Sequence, residues 1–237
     1  MKQAIFIIGA GHSGSTVLAK ALNAHSDVFA LSEISQFEDQ MQNEMSHCGC
    51  GELLRKCQFW DDINIQIRKS IGYGIKDDPN KFRLNRPLDK NRMVDKIQFK
   101  LSRIAAHFIN TKTISNRLEN LKILFDTIIK KTSNQTLIDS SKSPKWAFLL
   151  GNYLKKHGFE IYIIHLIRDG RAVLHSFLKP NYKVKLKNTE TGQYEFKIFP
   201  KKMKQGRKNV VKIWKRNYYQ CLFYHKILKK KLIKMRE

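Results

Sequence analysis

Ala4-Ile5-Phe6-Ile7-Ile8-Gly9-Ala10-Gly11-His12-Ser13-Gly14-Ser15-Thr16, running on into Val17-Leu18-Ala19-Lys20-Ala21-Leu22-Asn23, decides the fold class of this chain. Ala4–Ile8 is a continuous apolar run rich in β-branched residues, the pattern of a strand covered on both faces in a parallel sheet. Three glycines in six residues follow, and then apolar residues at helical spacing. A strand, a glycine turn and a helix in direct succession form one half of a βαβ unit. Gly9-x-x-x-x-Gly14-Ser15-Thr16 is nearly a phosphate-binding loop, in which glycines let backbone N–H groups converge on an anion and the next helix adds its positive end. Ser15 stands where a nucleoside triphosphatase carries the lysine that reaches the β- and γ-phosphates, so ordinary NTP hydrolysis is disfavoured. Taken alone, such a turn is equally explained by tight strand-to-helix packing.

Further along, Val28–Leu31 reads as a short second strand ending at Ser32-Glu33, and Thr136–Ile138 as a third leading into Asp139-Ser140-Ser141-Lys142. Ser143-Pro144 is a good helix start, serine as N-cap and proline at the first helical position, for a helix to about Lys156 closed by Gly158. Glu160–Ile167 reads as a long buried strand, and Arg168-Asp169-Gly170-Arg171 turns into another helix. Helices are expected at Arg92–Asn110 and Ser115–Lys131, irregular chain at residues 43–62, a polar loop at Asp77–Arg92, an exposed insertion at Lys179–Lys202 and a last helix at Lys204–Arg236. Alternating strands and helices predict a single α/β domain over residues 1–237, a three-layer fold of P-loop type with a central parallel sheet flanked by helices.

The net charge of +25 draws in anions, and from Lys179 onward 19 basic residues face only 3 acidic ones. Lys and Arg interleave there with Trp214, Tyr218, Tyr219 and Phe223, a mixture also seen in nucleic-acid binders. The aromatics recur at helical spacing, so a core-facing stripe is the more economical reading and no specific nucleic-acid partner is expected. No apolar run approaches the roughly 20 residues of a membrane span, and Ala4–Ile8 is too short for a signal-peptide core, so the chain reads as cytoplasmic.

Two motifs together resemble the PAPS-dependent sulfotransferase superfamily, particularly its bacterial carbohydrate-type members. The first is His12-Ser13-Gly14-Ser15-Thr16, which matches the loop that in this family holds the 5′-phosphosulfate of 3′-phosphoadenosine 5′-phosphosulfate (PAPS), although the family more often has Arg or Lys in place of His12. The second is Arg168-Asp-Gly-Arg-Ala-Val-Leu-His-Ser176, similar to the family's arginine and serine that bind the 3′-phosphate. A planar guanidinium suits a phosphate, while the plain alternative is a strand-end arginine paired with Asp169 or another surface carboxylate. The resemblance implies cofactor-binding roles for Gly11, His12, Ser13, Gly14, Ser15, Thr16, Arg168 and Ser176. It implies catalytic roles for Glu33 as base, for His12 as the runner-up base or a donor to the sulfate, and for Lys142 beside the active site. The reaction implied is transfer of a sulfuryl group from PAPS to a hydroxyl or amine of a carbohydrate or small-molecule acceptor, with 3′-phosphoadenosine 5′-phosphate (PAP) as product and no metal required. The family usually continues past this point with another strand and a C-terminal loop, so the chain reads as C-terminally truncated. The rival readings are a divergent P-loop nucleotide kinase, for which Asp139 is the one good Mg²⁺ ligand, and a basic nucleic-acid-binding module. His165, inside an apolar strand, reads as a satisfied core histidine.

His47-Cys48-Gly49-Cys50 with Cys57 invites a zinc reading, but the spacing is poor: adjacent His47 and Cys48 seldom share a metal and no Cys-x-x-Cys pair is present. Reduced thiols or a local disulfide are preferred, and the resemblance implies a structural role for the segment.

Overall fold

The computed structural model describes residues 1–84, 112–179, 181–187 and 193–200, with residues 211, 212, 214, 215, 218, 219 and 222 beyond them. In chain order the elements are β1 (Gln3–Gly9), α1 (Ser15–Leu22), β2 (Val28–Ala30), α2 (Phe37–Gln42), α3 (Gln58–Ile71), α4 (Lys112–Thr132), β3 (Thr136–Lys142), α5 (Pro144–Lys156), β4 (Glu160–Leu166), α6 (Gly170–Leu178), β5 (Asn181–Lys187) and β6 (Tyr194–Pro200). Short 3₁₀ turns lie at Ile34–Gln36, Leu54–Lys56 and Pro79–Phe82.

The sheet has the order β2-β3-β1-β4, and every pairing in it is parallel. β1 is hydrogen-bonded on both sides, with Gln3 opposite Thr136 on one flank and opposite Glu160 on the other. Its side chains alternate. Ala4, Phe6 and Ile8 enter the main core, where Leu121, Leu124 and Phe125 of α4 and Trp146, Leu150 and Leu154 of α5 are fully buried. Ile5 and Ile7 face the opposite way and pack with Leu18, Ala19 and Leu22 of α1 and with Ile138 of β3. Helices on both faces of a parallel sheet give the expected three layers and explain why β1 reads as an unbroken apolar run.

Most elements stand where the sequence places them. Ser143 Oγ accepts from the backbone N–H of Trp146 at 3.3 Å, Pro144 is the first helical residue, and Gly158 takes a φ of 85° just beyond α5. Two expectations need correction. The irregular stretch ends at Cys57 rather than at residue 62, because Trp60, Ile63, Asn64 and Ile67 form the buried face of α3 at helical spacing. β4 is not buried throughout: among the described residues only β1 pairs with it, Tyr162 is 43% exposed and Ile167, just past its end, 60%. Part of the expected insertion at Lys179–Lys202 is an antiparallel β5–β6 hairpin. The described residues between 211 and 222 are helical, with the Trp214 and Tyr218 rings stacked at 5.8 Å. The helix expected at Arg92–Asn110 lies outside the described residues. Among the described residues no helix is long and apolar enough to cross a membrane.

Candidate active site

The carboxyl ends of parallel strands are where loops can gather around a ligand, and here they enclose a cleft of about 790 Å³. Its floor is the loop that follows β1. Gly9 lies so close to β4 that a Cβ on it would come within 2.5 Å of the Leu166 carbonyl oxygen. Gly14, at a φ of 101°, occupies the N-cap position of α1, a left-handed conformation that a side chain would strain. No side chain caps α1 and its first turn holds no acidic residue, so its leading N–H groups and positive end are left to an outside anion. Gly11, His12, Gly14, Ser15 and Thr16 line the cleft. Ser13 does not: it lies beneath the surface, 8% exposed, with a buried Oγ that has no hydrogen-bond partner.

Arg168 and Ser176 arrive from a separate unit, the end of β4 and the helix α6, and both meet the loop at the same residue. Arg168 Nη1 donates to the His12 carbonyl at 2.9 Å, and Ser176 Oγ lies 3.2 Å from His12 Nδ1. Phe177 sets its ring edge-on against the imidazole at 4.2 Å between centroids. The pairing of Arg168 with Asp169 does not hold, since Asp169 is occupied by Arg171. Both carboxylate oxygens of Asp169 accept from the Arg171 guanidinium, and one caps the Arg171 backbone N–H at 2.9 Å. That arginine holds the Asp169 carboxyl below its ordinary range.

On the facing wall, Lys142 Nζ is ion-paired with Glu33, whose second carboxylate oxygen accepts from the side-chain amide of Gln36. Both charged side chains are largely buried, 17% exposed for Lys142 and 22% for Glu33. The backbone is strained around this wall. His12, Ser32 and Lys142 have φ of 62°, 63° and 62°, all in the left-handed region that non-glycine residues avoid.

A buried brace behind Lys142 over-determines that geometry. Asp139 is 1% exposed; one carboxylate oxygen accepts from the backbone N–H of Ser141 at 2.8 Å and from the Ser141 hydroxyl, the other from Trp146 Nε1 at 2.6 Å. Ser141 Oγ in turn accepts from the Ser35 backbone N–H at 3.0 Å, and the Ser32 carbonyl accepts from Ser140 N at 2.8 Å and Ser140 Oγ at 3.1 Å. One buried carboxylate thereby ties the strand end that carries Lys142 to the turn that carries Glu33. Burial is the largest influence on Asp139 and pushes its carboxyl up to about 6, against the three donors that favour its charge. With both oxygens engaged and no place in the cleft lining, Asp139 is not disposed as a metal ligand.

The cleft therefore gathers nine of the ten residues singled out in the sequence, all but Ser13. It adds Gln36 and Phe177, which belong to no motif, together with Ser141 and Ser143 of the Asp139–Pro144 stretch that carries Lys142. Gln36 lies three residues after Glu33, and Phe177 directly follows Ser176; their spacing was visible, but no motif flagged them. His165 is half-buried in β4 and does not line the cleft.

Among curated proteins, none matches this chain. A family model does: the description "Sulfotransferase family" applies over residues 4–236, which include every residue of the cleft. The chain belongs to the sulfotransferase family.

Proposed function

We propose that the cleft binds PAPS and transfers its sulfuryl group to a hydroxyl or amine of a carbohydrate or small metabolite. The observation that carries this reading is the meeting of Arg168 and Ser176 with His12. A two-phosphate ligand needs two anion sites side by side, and here a strand-end arginine with a helix serine adjoins the start of α1. Two features of the chain fit such a ligand: α1 begins without a cap, and a cleft of about 790 Å³ lies within the range of small-molecule sites.

In this reading the N–H groups from Gly11 to Thr16 hold the 5′-phosphosulfate, and Arg168 and Ser176 hold the 3′-phosphate. When bound, PAPS would supply the sulfuryl group, whose S–O bond to the 5′-phosphate breaks as sulfur bonds to the acceptor oxygen or nitrogen. Lys142 is placed to leave Glu33 for the sulfuryl oxygens, where charge spreads during transfer. Glu33, released from the lysine and oriented by Gln36, accepts the acceptor's proton. His12 is better suited to orient and donate than to act as base, because its ring is already engaged by Ser176 and Phe177. A kinase reading lacks support from Asp139, whose oxygens are engaged by Ser141 and Trp146.

Calorimetric titration with PAP, with ATP as control, tests the proposal. Micromolar PAP binding is expected, not matched by ATP. Arg168→Ala should weaken it by about tenfold or more, given roughly 1.5–3 kcal/mol for a hydrogen bond to a charged group. No preference for PAP over ATP would refute the cofactor. Tight, salt-sensitive binding of RNA or duplex DNA that is indifferent to Arg168→Ala would favour the nucleic-acid alternative.

A further inference from the structure

The three cysteines near residue 50 are spaced badly for a metal in the sequence, yet the fold brings them together. The Sγ atoms of Cys48, Cys50 and Cys57 all lie within 4.8 Å of one another, and those of Cys50 and Cys57 are 3.7 Å apart. A tight hairpin does this. Leu54 N donates to the Ser46 carbonyl at 2.8 Å and Cys48 N to the Glu52 carbonyl at 2.8 Å. At the tip, Gly51 N closes a turn onto the Cys48 carbonyl at 2.9 Å, with Gly51 at a φ of 94°. The turn folds Cys50 back over Cys48, and the 3₁₀ turn at Leu54–Lys56 then delivers Cys57 to the same spot.

We propose that Cys48, Cys50 and Cys57 bind a single thiophilic metal ion, zinc in the first instance, as three thiolates with an open fourth position. A tetrahedral ion about 2.3 Å from each sulfur sets neighbouring sulfurs roughly 3.8 Å apart, and a planar three-coordinate one roughly 4.0 Å. The Cys50–Cys57 separation of 3.7 Å meets that range, and all three sulfurs lie within 4.8 Å of one another. A disulfide would use two of the three sulfurs and leave the third without a function.

Burial is the largest influence on the Cys48 thiol and raises it, so deprotonation there comes with metal binding rather than before it. The backbone N–H of Cys50 donates to Cys48 Sγ, the kind of outer contact that steadies a ligating sulfur. Cys57 is the N-cap residue of the fourteen-residue helix α3, so the helix anchors its backbone beside the other two cysteines. Metal binding releases the thiol protons to solvent, with no redox change. Burial is graded, Cys57 buried, Cys48 half-buried and Cys50 exposed, so the open position faces water on the Cys50 side. His47 is not part of the sulfur cluster, and its Nδ1 lies 2.8 Å from the Met45 carbonyl.

None of the three cysteines lines the cleft, so this proposal and the sulfotransfer reading stand or fall separately. The role it implies is a structural clip. Cys57 packs in one cluster with Leu54, Trp60, Ile34 and Phe37, and Ile34 directly follows Glu33.

The test uses the full chain, reduced and stripped with a chelator, then titrated with Co²⁺ and afterwards Zn²⁺. One equivalent of Co²⁺ should give sulfur-to-metal charge-transfer absorption, and Zn²⁺ should abolish it by displacement. Zinc should protect three of the four thiols from a thiol reagent. Cys50→Ser, at the exposed position least tied to the core, should lose more affinity than the roughly 10–100-fold that removal of an outer-shell partner costs. Zinc should raise the melting temperature of the parent chain and not of this variant. Absence of the charge-transfer band, an unchanged band in Cys50→Ser, or a Cys50–Cys57 disulfide that persists in zinc under reducing conditions would each overturn the proposal.

Discussion

Asp139→Asn removes one charge and one oxygen from the brace behind the cleft while keeping the side chain's shape. Trp146 Nε1 and Ser141 now both donate to Asp139, from opposite sides of the carboxylate. An amide has one acceptor oxygen. If that oxygen stays with Ser141, the NH₂ group faces the indole N–H of a tryptophan that is 0% exposed. If it turns to Trp146, the NH₂ group faces the Ser141 backbone N–H instead. Either way one buried donor goes unsatisfied, a cost of about 1–3 kcal/mol at neutral pH, or roughly 2–4 °C of melting temperature per kcal/mol.

The pH dependence has a definite sign. Burial raises Asp139 to about 6, so its contribution to stability is full below the unfolded value and is lost as pH rises through 6. The variant lacks that titration. The stability gap between parent and variant should therefore be wider at about pH 5 than at about pH 7.5, by roughly 1 kcal/mol from the linkage relation. Urea unfolding followed by tryptophan fluorescence at the two pH values measures it. A gap that narrows at the acid value would refute the reasoning, because it would mean that the three donors outweigh burial and hold the carboxylate charged. The same variant should transfer sulfate poorly while binding PAP normally, since the glycine loop and Arg168 are untouched; equal loss of both would mean that the brace supports the whole cleft.

Glu33→Gln keeps its contact with Gln36 but gives up the base, so transfer from labelled PAPS to a panel of acceptors should fall roughly 10²–10⁴-fold while PAP affinity holds; unimpaired transfer would remove Glu33 from the chemistry. Gly9→Ala places a methyl 2.5 Å from the Leu166 carbonyl oxygen and should force β1 and β4 apart, costing about 1–3 kcal/mol in urea unfolding. Stability and PAP binding close to those of the parent would show that the close approach is not required.

What was legible in the sequence was whatever local chemistry dictates. An apolar run followed by glycines can be read as β1 and its loop because burial on both faces and left-handed backbone leave direct marks on residue choice. Ser143-Pro144 marks the start of α5 for the same reason. The carrier residues of the site were visible wherever they ended a strand, as Arg168 and Glu33 do. Their partners were not. That Lys142 pairs with Glu33, and Arg168 with the His12 carbonyl, depends on contacts 109 and 156 residues apart in sequence. No spacing rule encodes such contacts. The start of α3 is masked in the sequence because the cysteine-rich stretch runs directly into the helical spacing of Trp60, Ile63 and Ile67. The exposed edge of β4 was misjudged because its composition is that of a buried strand, while its accessibility depends on what lies beside it.

The place of β1 in the sheet also governs how the chain acquires its structure. Its two hydrogen-bonding neighbours begin at Thr136 and Glu160, so the central strand of this sheet is made long before either of its partners. At about 5–20 residues per second on the ribosome, the segment Ala4–Ile8 waits roughly 7–30 s before either partner exists. During that interval it is a short, uncharged, β-prone stretch without proline, the type of segment that pairs with copies of itself. A nascent chain therefore carries this strand without its sheet partners for that interval, and slower translation lengthens the exposure. The long sequence distance between β1 and both of its partners raises the contact order of the sheet, the property with which folding slows.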